Sequence, residues 1–331
     1  MMKHCTILAI LFTAVSLLTG CGDKLEIIPP KPTKLAAKGK GPALAIDHSP
    51  SAPTRRRSQQ DIDGDLMREF DDDIAAWHRS YASQNQHVFL LEASLTRRAE
   101  EHYSELVRLL RGDNVPFAMV SASAVGFANR TQSRELLLEV AQSDRDERII
   151  ENALNGLAVL LARNPEVRAR TEGSDISGFL SDSREGVRVA ASFAAMNLVD
   201  YGDDRGLMPY LAERVGDDSY MVRANSCWAI GRAGGPTALN VLEVALLGDP
   251  TPEVRCNAAL ALAATGETDA VDILIEGLTA QEAEVRRHCS TALALMTGEE
   301  HGISRAAWLT WWASHRDGFV PLTAKVSSSG S

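Results

Sequence analysis

Along "ETDAVDILIEGL" the apolar residues Val271, Leu274, Ile275 and Leu278 fall at i, i+3, i+4 and i+7, one stripe of an amphipathic helix. "PTALNVLEVALLGD" repeats the stripe with Leu239, Leu242 and Leu246. Between these two lies "EVRCNAALALAATG", which is apolar nearly all round and ends at Gly266, a helix stop. A helix with no polar side must be sandwiched between neighbours, and its small alanines let those neighbours approach closely. The pattern therefore predicts pairs of helices, a buried first one and an amphipathic second one. Just ahead of the first, "GDPTPEVR" places Thr251 as N-cap and Pro252 at the first helical position.

The first-helix line is written several times. Its Val-Arg opening recurs with the arginine at Arg188, Arg223, Arg255 and Arg286, spacings of 35, 32 and 31 residues. Weaker copies align Ile149 and Ile150, and further upstream Val115 and Pro116, with that pair. A period in this range signals a solenoid, because no single unit buries its own apolar faces and the stacking of neighbours makes the core. About six units fit between Asp113 and Gly298. The expected fold is all-α, an α-solenoid of about six helix pairs over residues 113–298.

Such a stack must close its open ends. Upstream, Leu66, Phe70, Ile74, Trp77 and Tyr81 share one helical stripe, and Leu91, Leu95, Ala99, Tyr103, Leu106 and Leu110 another, predicting a two-helix cap over 61–112. Asp71, Asp72 and Asp73 read as its solvated side rather than as a cation site. Downstream, Trp308, Trp311, Trp312 and His315 fall at i, i+3, i+4 and i+7, predicting a capping helix within 299–322 and a loose tail over 323–331. Three tryptophans on one face read either as a plug against the last unit or as a partner anchor, since Trp is enriched in interface hot spots.

Asp182, Asp217 and Asp249 each lie six residues before a repeat arginine, and Asp144 lies six before Ile150. Together these positions resemble the short bacterial HEAT-like repeats of the phycobilin-lyase type, with their D-x-x-x-x-V-R opening and A-x-x-A-L-x-x-x-G body. The resemblance covers over half the chain. It implies that Asp182, Arg188, Asp217, Arg223, Asp249, Arg255 and Arg286 form a structural ladder between successive repeats. An anion-binding row is the other reading of the arginines. Ala280 replaces the aspartate of the last unit, and Ile150 and Pro116 replace the arginine in the first two, so the ladder is expected to falter at both ends. The tryptophan-rich stretch resembles the W-x-x-W-W helix that closes many bacterial HEAT-repeat proteins.

Composition adds the rest. Lys3, an apolar run over residues 6–18 and small residues before Cys21 read as an export signal over 1–20. "LTGC" resembles the lipobox of bacterial lipoproteins, implying cleavage before Cys21 and covalent diacylglycerol and an N-acyl chain on that cysteine. By the same resemblance Gly22 implies the periplasmic face of the outer membrane, with Asp23 one place later. A proline- and lysine-rich stretch, 21–60, reads as an unfolded tether; from residue 22 it holds 8 Lys/Arg against 3 Asp/Glu, whereas residues 61–331 hold 25 against 41. A body at −16 and export from the cytoplasm argue against nucleic acid as a partner.

No E-x-x-H or H-E-x-x-H spacing, G-x-S-x-G, Walker A or G-x-G-x-x-G occurs, so nothing calls for a metal, a cofactor or a small-molecule substrate. Cys227, Cys256 and Cys289 sit five, two and four residues after their repeat valines, mismatched heights that predict buried free thiols. The function this favours is a membrane-tethered, non-enzymatic protein-binding scaffold of the bacterial envelope. Its second helices would present an acid-leaning groove including Asn240, Glu243, Asp272 and Glu276 to a basic protein segment, with Trp308, Trp311 and Trp312 as a further anchor. A lyase-type enzyme and a purely architectural spacer remain the alternatives. DNA glycosylases carry a related helical array, but the export signal and acidic body disfavour both them and the cytoplasmic lyases.

Overall fold

In the computed structural model residues 58–82 and 87–324 are described. The expected signal, Cys21, the tether through residue 57 and the tail from 325 lie outside the described residues.

The first helix, α1 (Gln59–Ala82), starts just inside the stretch read as tether. Ser58 is the reason: its hydroxyl accepts from the Asp61 amide at 3.2 Å while Asp61 accepts from the Ser58 amide at 3.0 Å, a reciprocal capping box. The stripe over 91–110 does not form one helix. It breaks at His102 into α2 (His87–Glu101) and α3 (Tyr103–Leu110), and the break sets the Tyr103 ring 4.4 Å under the Arg130 guanidinium. Phe70, Ile74, Trp77, Leu95, Ala99, Leu106 and Leu110 are buried as the stripes predict. The helices α1–α3 pack on one another and on the first repeat.

Six helix pairs follow. They are α4 (Val115–Val125) with α5 (Gln132–Ala141), and α6 (Glu147–Arg163) with the short α7 (Pro165–Ala169) and α8 (Ser177–Leu180). Next come α9 (Glu185–Leu198) with α10 (Met208–Arg214), and α11 (Tyr220–Ala233) with α12 (Pro236–Gly248). The last are α13 (Pro252–Thr265) with α14 (Ala270–Gly277), and α15 (Ala283–Thr297) with α16 (Arg305–His315). The protein is an all-α solenoid, and among the described residues there is no β-strand beyond one isolated bridge, Asp200 to Asp203.

The first helices α4, α6, α9, α11, α13 and α15 stack in order and make the spine. Residues 256–265 of α13 are all buried, as its all-round apolar pattern requires. Close approach depends on small residues: a Cβ on Gly156 would lie 2.4 Å from the Ala122 carbonyl oxygen of α4. Gly266 ends α13 in the left-handed region at φ 70°, where a side chain would be strained. On the second helices, Leu242, Leu246, Val271, Leu274, Ile275 and Leu278 are buried against the spine.

The tryptophan helix is the second helix of the sixth unit. It lies alongside α14 rather than across the outer side of α15. Beyond it the chain turns back, and the Leu322 amide donates to the Met296 carbonyl at 2.7 Å.

Candidate binding surface

The repeat arginines build a ladder of defined geometry. Arg188 and Arg223 each use one terminal nitrogen, Nη1, on carbonyls of their own repeat: Asp182 and Ser183 at 2.9 and 3.1 Å, Asp217 and Asp218 at 2.8 and 3.2 Å. The remaining fork, Nε and Nη2, reaches the aspartate of the next repeat. Arg188 donates to Asp217 at 2.9 and 3.0 Å, and Arg223 to Asp249 at 2.7 and 3.1 Å. Thr251 stands at the N-cap position of α13 as expected, but its hydroxyl makes no cap bond and accepts from Arg223 at 2.8 Å. Burial pushes the Asp217 carboxyl up, but Arg188, the Ser219 amide and Arg214 outweigh it, leaving it below the usual carboxylate value. These arginines are held by carboxylates and carbonyls of their own protein, which supports the structural reading of the row.

Both ends of the ladder differ from the repeat. At the C-terminal end Ala280 removes an aspartate, yet the rung persists: Arg255 donates to Glu282 at 2.8 Å, two positions on. A single, more exposed contact thus replaces the bidentate fork, and Arg255 turns its Nε to the Leu246 carbonyl at 2.8 Å. Beside this altered rung lies a shallow cleft of about 440 Å³ lined by Leu247, Arg255, Glu276 and Glu282. At the other end Ile150 supplies no donor to Asp182. That carboxylate pairs locally with Arg184 at 2.7 and 2.8 Å, and the Arg184 hydrogen bonds hold it below its ordinary value. Where Pro116 lacks a guanidinium, Arg145 of the next unit donates to the Leu110 and Gly112 carbonyls.

A second set of cross-helix bonds escaped the sequence reading. Ser123 donates to Asn152 at 2.7 Å, Asn225 to Ser192 at 3.1 Å and the Trp228 indole to Asn257 at 3.0 Å. Its signal was present, since Asn152, Asn225 and Asn257 all stand two residues after the repeat Ile or Arg position. The thiols of Cys227, Cys256 and Cys289 are free and buried, and burial pushes each up to about 12.

On the second helices the four proposed groove residues separate into two pairs. Asn240 and Glu243 of α12 are exposed. Asp272 and Glu276 of α14 are engaged by α16 of the same chain. Asp272 accepts from the Trp312 indole and from Arg316, both at 2.9 Å, and Glu276 accepts from Arg305 at 2.7 Å. Glu276 stays exposed beside its ion pair with Arg305, and Asp272 is half-buried beside Arg316, which follows α16, so the acids of α14 differ from those of α12 in being paired within the chain. What the sequence reading missed is apolar: Val244 is 70% exposed and Leu247 40%, on the side of α12 away from its Leu242/Leu246 stripe. Both lie next to Glu243 on that helix face.

The tryptophans divide as well. Trp308 and Trp312 are buried, and the Trp308 indole donates to the Gly302 carbonyl at 2.8 Å. Trp311 is half-buried, stacked on His315 at 4.7 Å and meeting Phe319 edge-on at 5.8 Å. Asp71 and Asp72 are exposed, and Asp73 pairs with Arg98. No helix among the described residues is long and apolar enough to cross a membrane.

Residues 241–305 match the family model of HEAT repeats. Among solved structures, an Escherichia coli protein, YibA, aligns at 16% identity and a TM-score of 0.48 over 81% of this chain and 94% of that one. A designed armadillo repeat protein in complex with the peptide (KR)4 aligns at 21% identity and a TM-score of 0.45, covering 57% and 97% of the two chains. The complex of CpcE and CpcF of phycocyanin lyase from Nostoc sp. aligns at 18% and 0.43, covering 57% and 75%. No curated protein sequence matches the chain.

Proposed function

We propose that this protein is a non-enzymatic, protein-binding scaffold of the bacterial cell envelope, held at the membrane by acyl chains on Cys21 and presenting the outer face of α12 to a protein partner. The observation that carries the reading is the combination on α12 of exposed Asn240 and Glu243 with the solvent-facing Val244 and Leu247. An apolar pair flanked by a carboxylate and an amide, on a helix whose other side is locked into the spine, is a preorganised contact surface. It suits an amphipathic segment that brings a basic residue to Glu243 and apolar side chains to Val244 and Leu247. The basic stretch 22–57 and the lipobox resemblance support a lipid-anchored location on the periplasmic face of the outer membrane, with the acyl groups as the only non-protein component.

Two experiments test the parts separately. Crosslinking in intact cells, followed by identification of what copurifies, should yield a partner that the double variant Val244→Ser/Glu243→Lys loses. Retention of every crosslinked partner by that variant would count against the surface. Labelled palmitate should incorporate into the wild type and not into Cys21→Ala; incorporation into both, or neither, removes the anchor.

A further inference from the structure

We propose that the far end of the arginine ladder, Arg286 on α15, is a docking point for a carboxylate on a second protein, one that enters where a seventh repeat would stand. The argument rests on the geometry of the complete rungs. At Arg188 and Arg223 the bonds from Nη1 to the two upstream carbonyls hold the guanidinium plane, and the Nε–Nη2 edge then faces the next unit's aspartate. Arg286 makes the same clamp, donating to the Ala280 and Gln281 carbonyls at 2.7 Å each. Its Nε–Nη2 edge is therefore oriented like theirs, yet among the described residues no carboxylate pairs with it. A planar fork already fixed in position loses little entropy when it meets a carboxylate.

Among the described residues the surroundings leave the place open and favour an acid. Because α16 packs on α14, it leaves Ala283, Arg287 and Thr291 of α15 exposed. Glu284 is engaged with Arg287 at 3.1 Å, so Arg286 and Arg287 together leave a net positive spot on an otherwise acidic body. A second copy in head-to-tail register does not supply the acid. The first unit of this chain carries Leu110 at the ladder-aspartate position, six before Pro116, and the helices α1–α3 cover that end. The occupant is thus a partner segment of a particular chemistry: an aspartate in the turn entering an amphipathic helix, as Asp217 and Asp249 are placed here. The site is separate from the face of α12 and does not depend on it.

The test uses the full chain and a synthetic peptide copying residues 244–262, whose Asp249 is the ladder acid in a free turn-and-helix segment. A labelled peptide should bind the wild-type protein, and its Asp249→Asn version should bind about tenfold or more weakly, the usual range for a lost charge-assisted pair. Arg286→Gln should erase the difference between the two peptides, while Arg287→Gln and the groove variant Glu243→Lys should keep it. Thermal unfolding of Arg286→Gln close to wild type shows that the variant is folded. Arginine-specific labelling with phenylglyoxal provides a readout without the peptide: Arg286 should react at least tenfold faster than Arg188 and Arg223. The proposal is overturned if the two peptides bind alike, if neither binds, if their difference survives in Arg286→Gln, or if Arg286 is as protected as Arg223. A loss of crosslinked partners by the α12 variant alone bears only on the function proposed above.

Discussion

Replacing Arg223 by alanine removes the most enclosed rung of the ladder, and its cost follows from what is left behind. Arg223 and Asp249 are 10% and 4% exposed at their side chains, so the deletion strands a carboxylate that water barely reaches. Breaking a buried pair from one side costs about 3–5 kcal/mol, because the surviving charge is uncompensated. Asp249 keeps one bond, from the Thr251 amide at 2.8 Å, which points to the lower half of that range. Arg255→Ala leaves Glu282, 38% exposed and able to rehydrate, so about 1–2 kcal/mol is expected. Arg286→Ala strands no carboxylate and should cost about 1 kcal/mol or less. Urea unfolding of the three variants, followed by far-ultraviolet circular dichroism with m-values compared, gives the order directly. The double variant Arg223→Ala/Asp249→Ala should recover part of the loss, since removing both partners leaves no buried charge. Equal losses for Arg223→Ala and Arg286→Ala, or no recovery in the double variant, would refute the view that these arginines serve the stack.

Three further outcomes follow from the same structure. Asp217 sits below its ordinary value of 3.8 in the folded chain, so its contribution to stability is present above that value and disappears as pH falls through the lower folded one. Acid titration of unfolding should show this loss flattened in Arg188→Ala, and an unchanged acid limb would contradict the pairing. Gly156→Ala should destabilise by about 1–3 kcal/mol, read as a lower thermal midpoint, because its Cβ would sit 2.4 Å from the Ala122 carbonyl oxygen. Cys227, Cys256 and Cys289, pushed up to about 12 by burial, should resist a thiol reagent at pH 8 in the native protein and react only on unfolding. Fast native-state labelling of any of the three would show that the spine opens.

The helix pairs and their count were legible in the chain itself. Apolar spacing of 3.6 residues and left-handed glycines such as Gly266 are local properties, and the recurring Val-Arg line exposes the stacking because every unit must repeat the surface its neighbour needs. The Asp–Arg ladder was expected through the resemblance to HEAT-like repeats, and Asp217 and Asp249 do pair in register with Arg188 and Arg223. Local chemistry, read closely, also explains the early start of α1 at Ser58.

Only the tertiary structure decided which surfaces stay open. Asp272 has the same helical placement as the exposed Asn240, yet Trp312 and Arg316 engage Asp272 while Asn240 stays open, and Glu276, exposed like Glu243, is paired with Arg305. The substitution of Glu282 for the missing rung, and the fate of Arg286 at the end of the stack, likewise depend on which helix comes to rest beside α14 and α15. A repeat pattern states what each unit offers its neighbours. The surroundings of a given acid or arginine depend on residues 29 and 44 positions away, as Arg305 is from Glu276 and Arg316 from Asp272, whose approach no periodicity within one unit encodes.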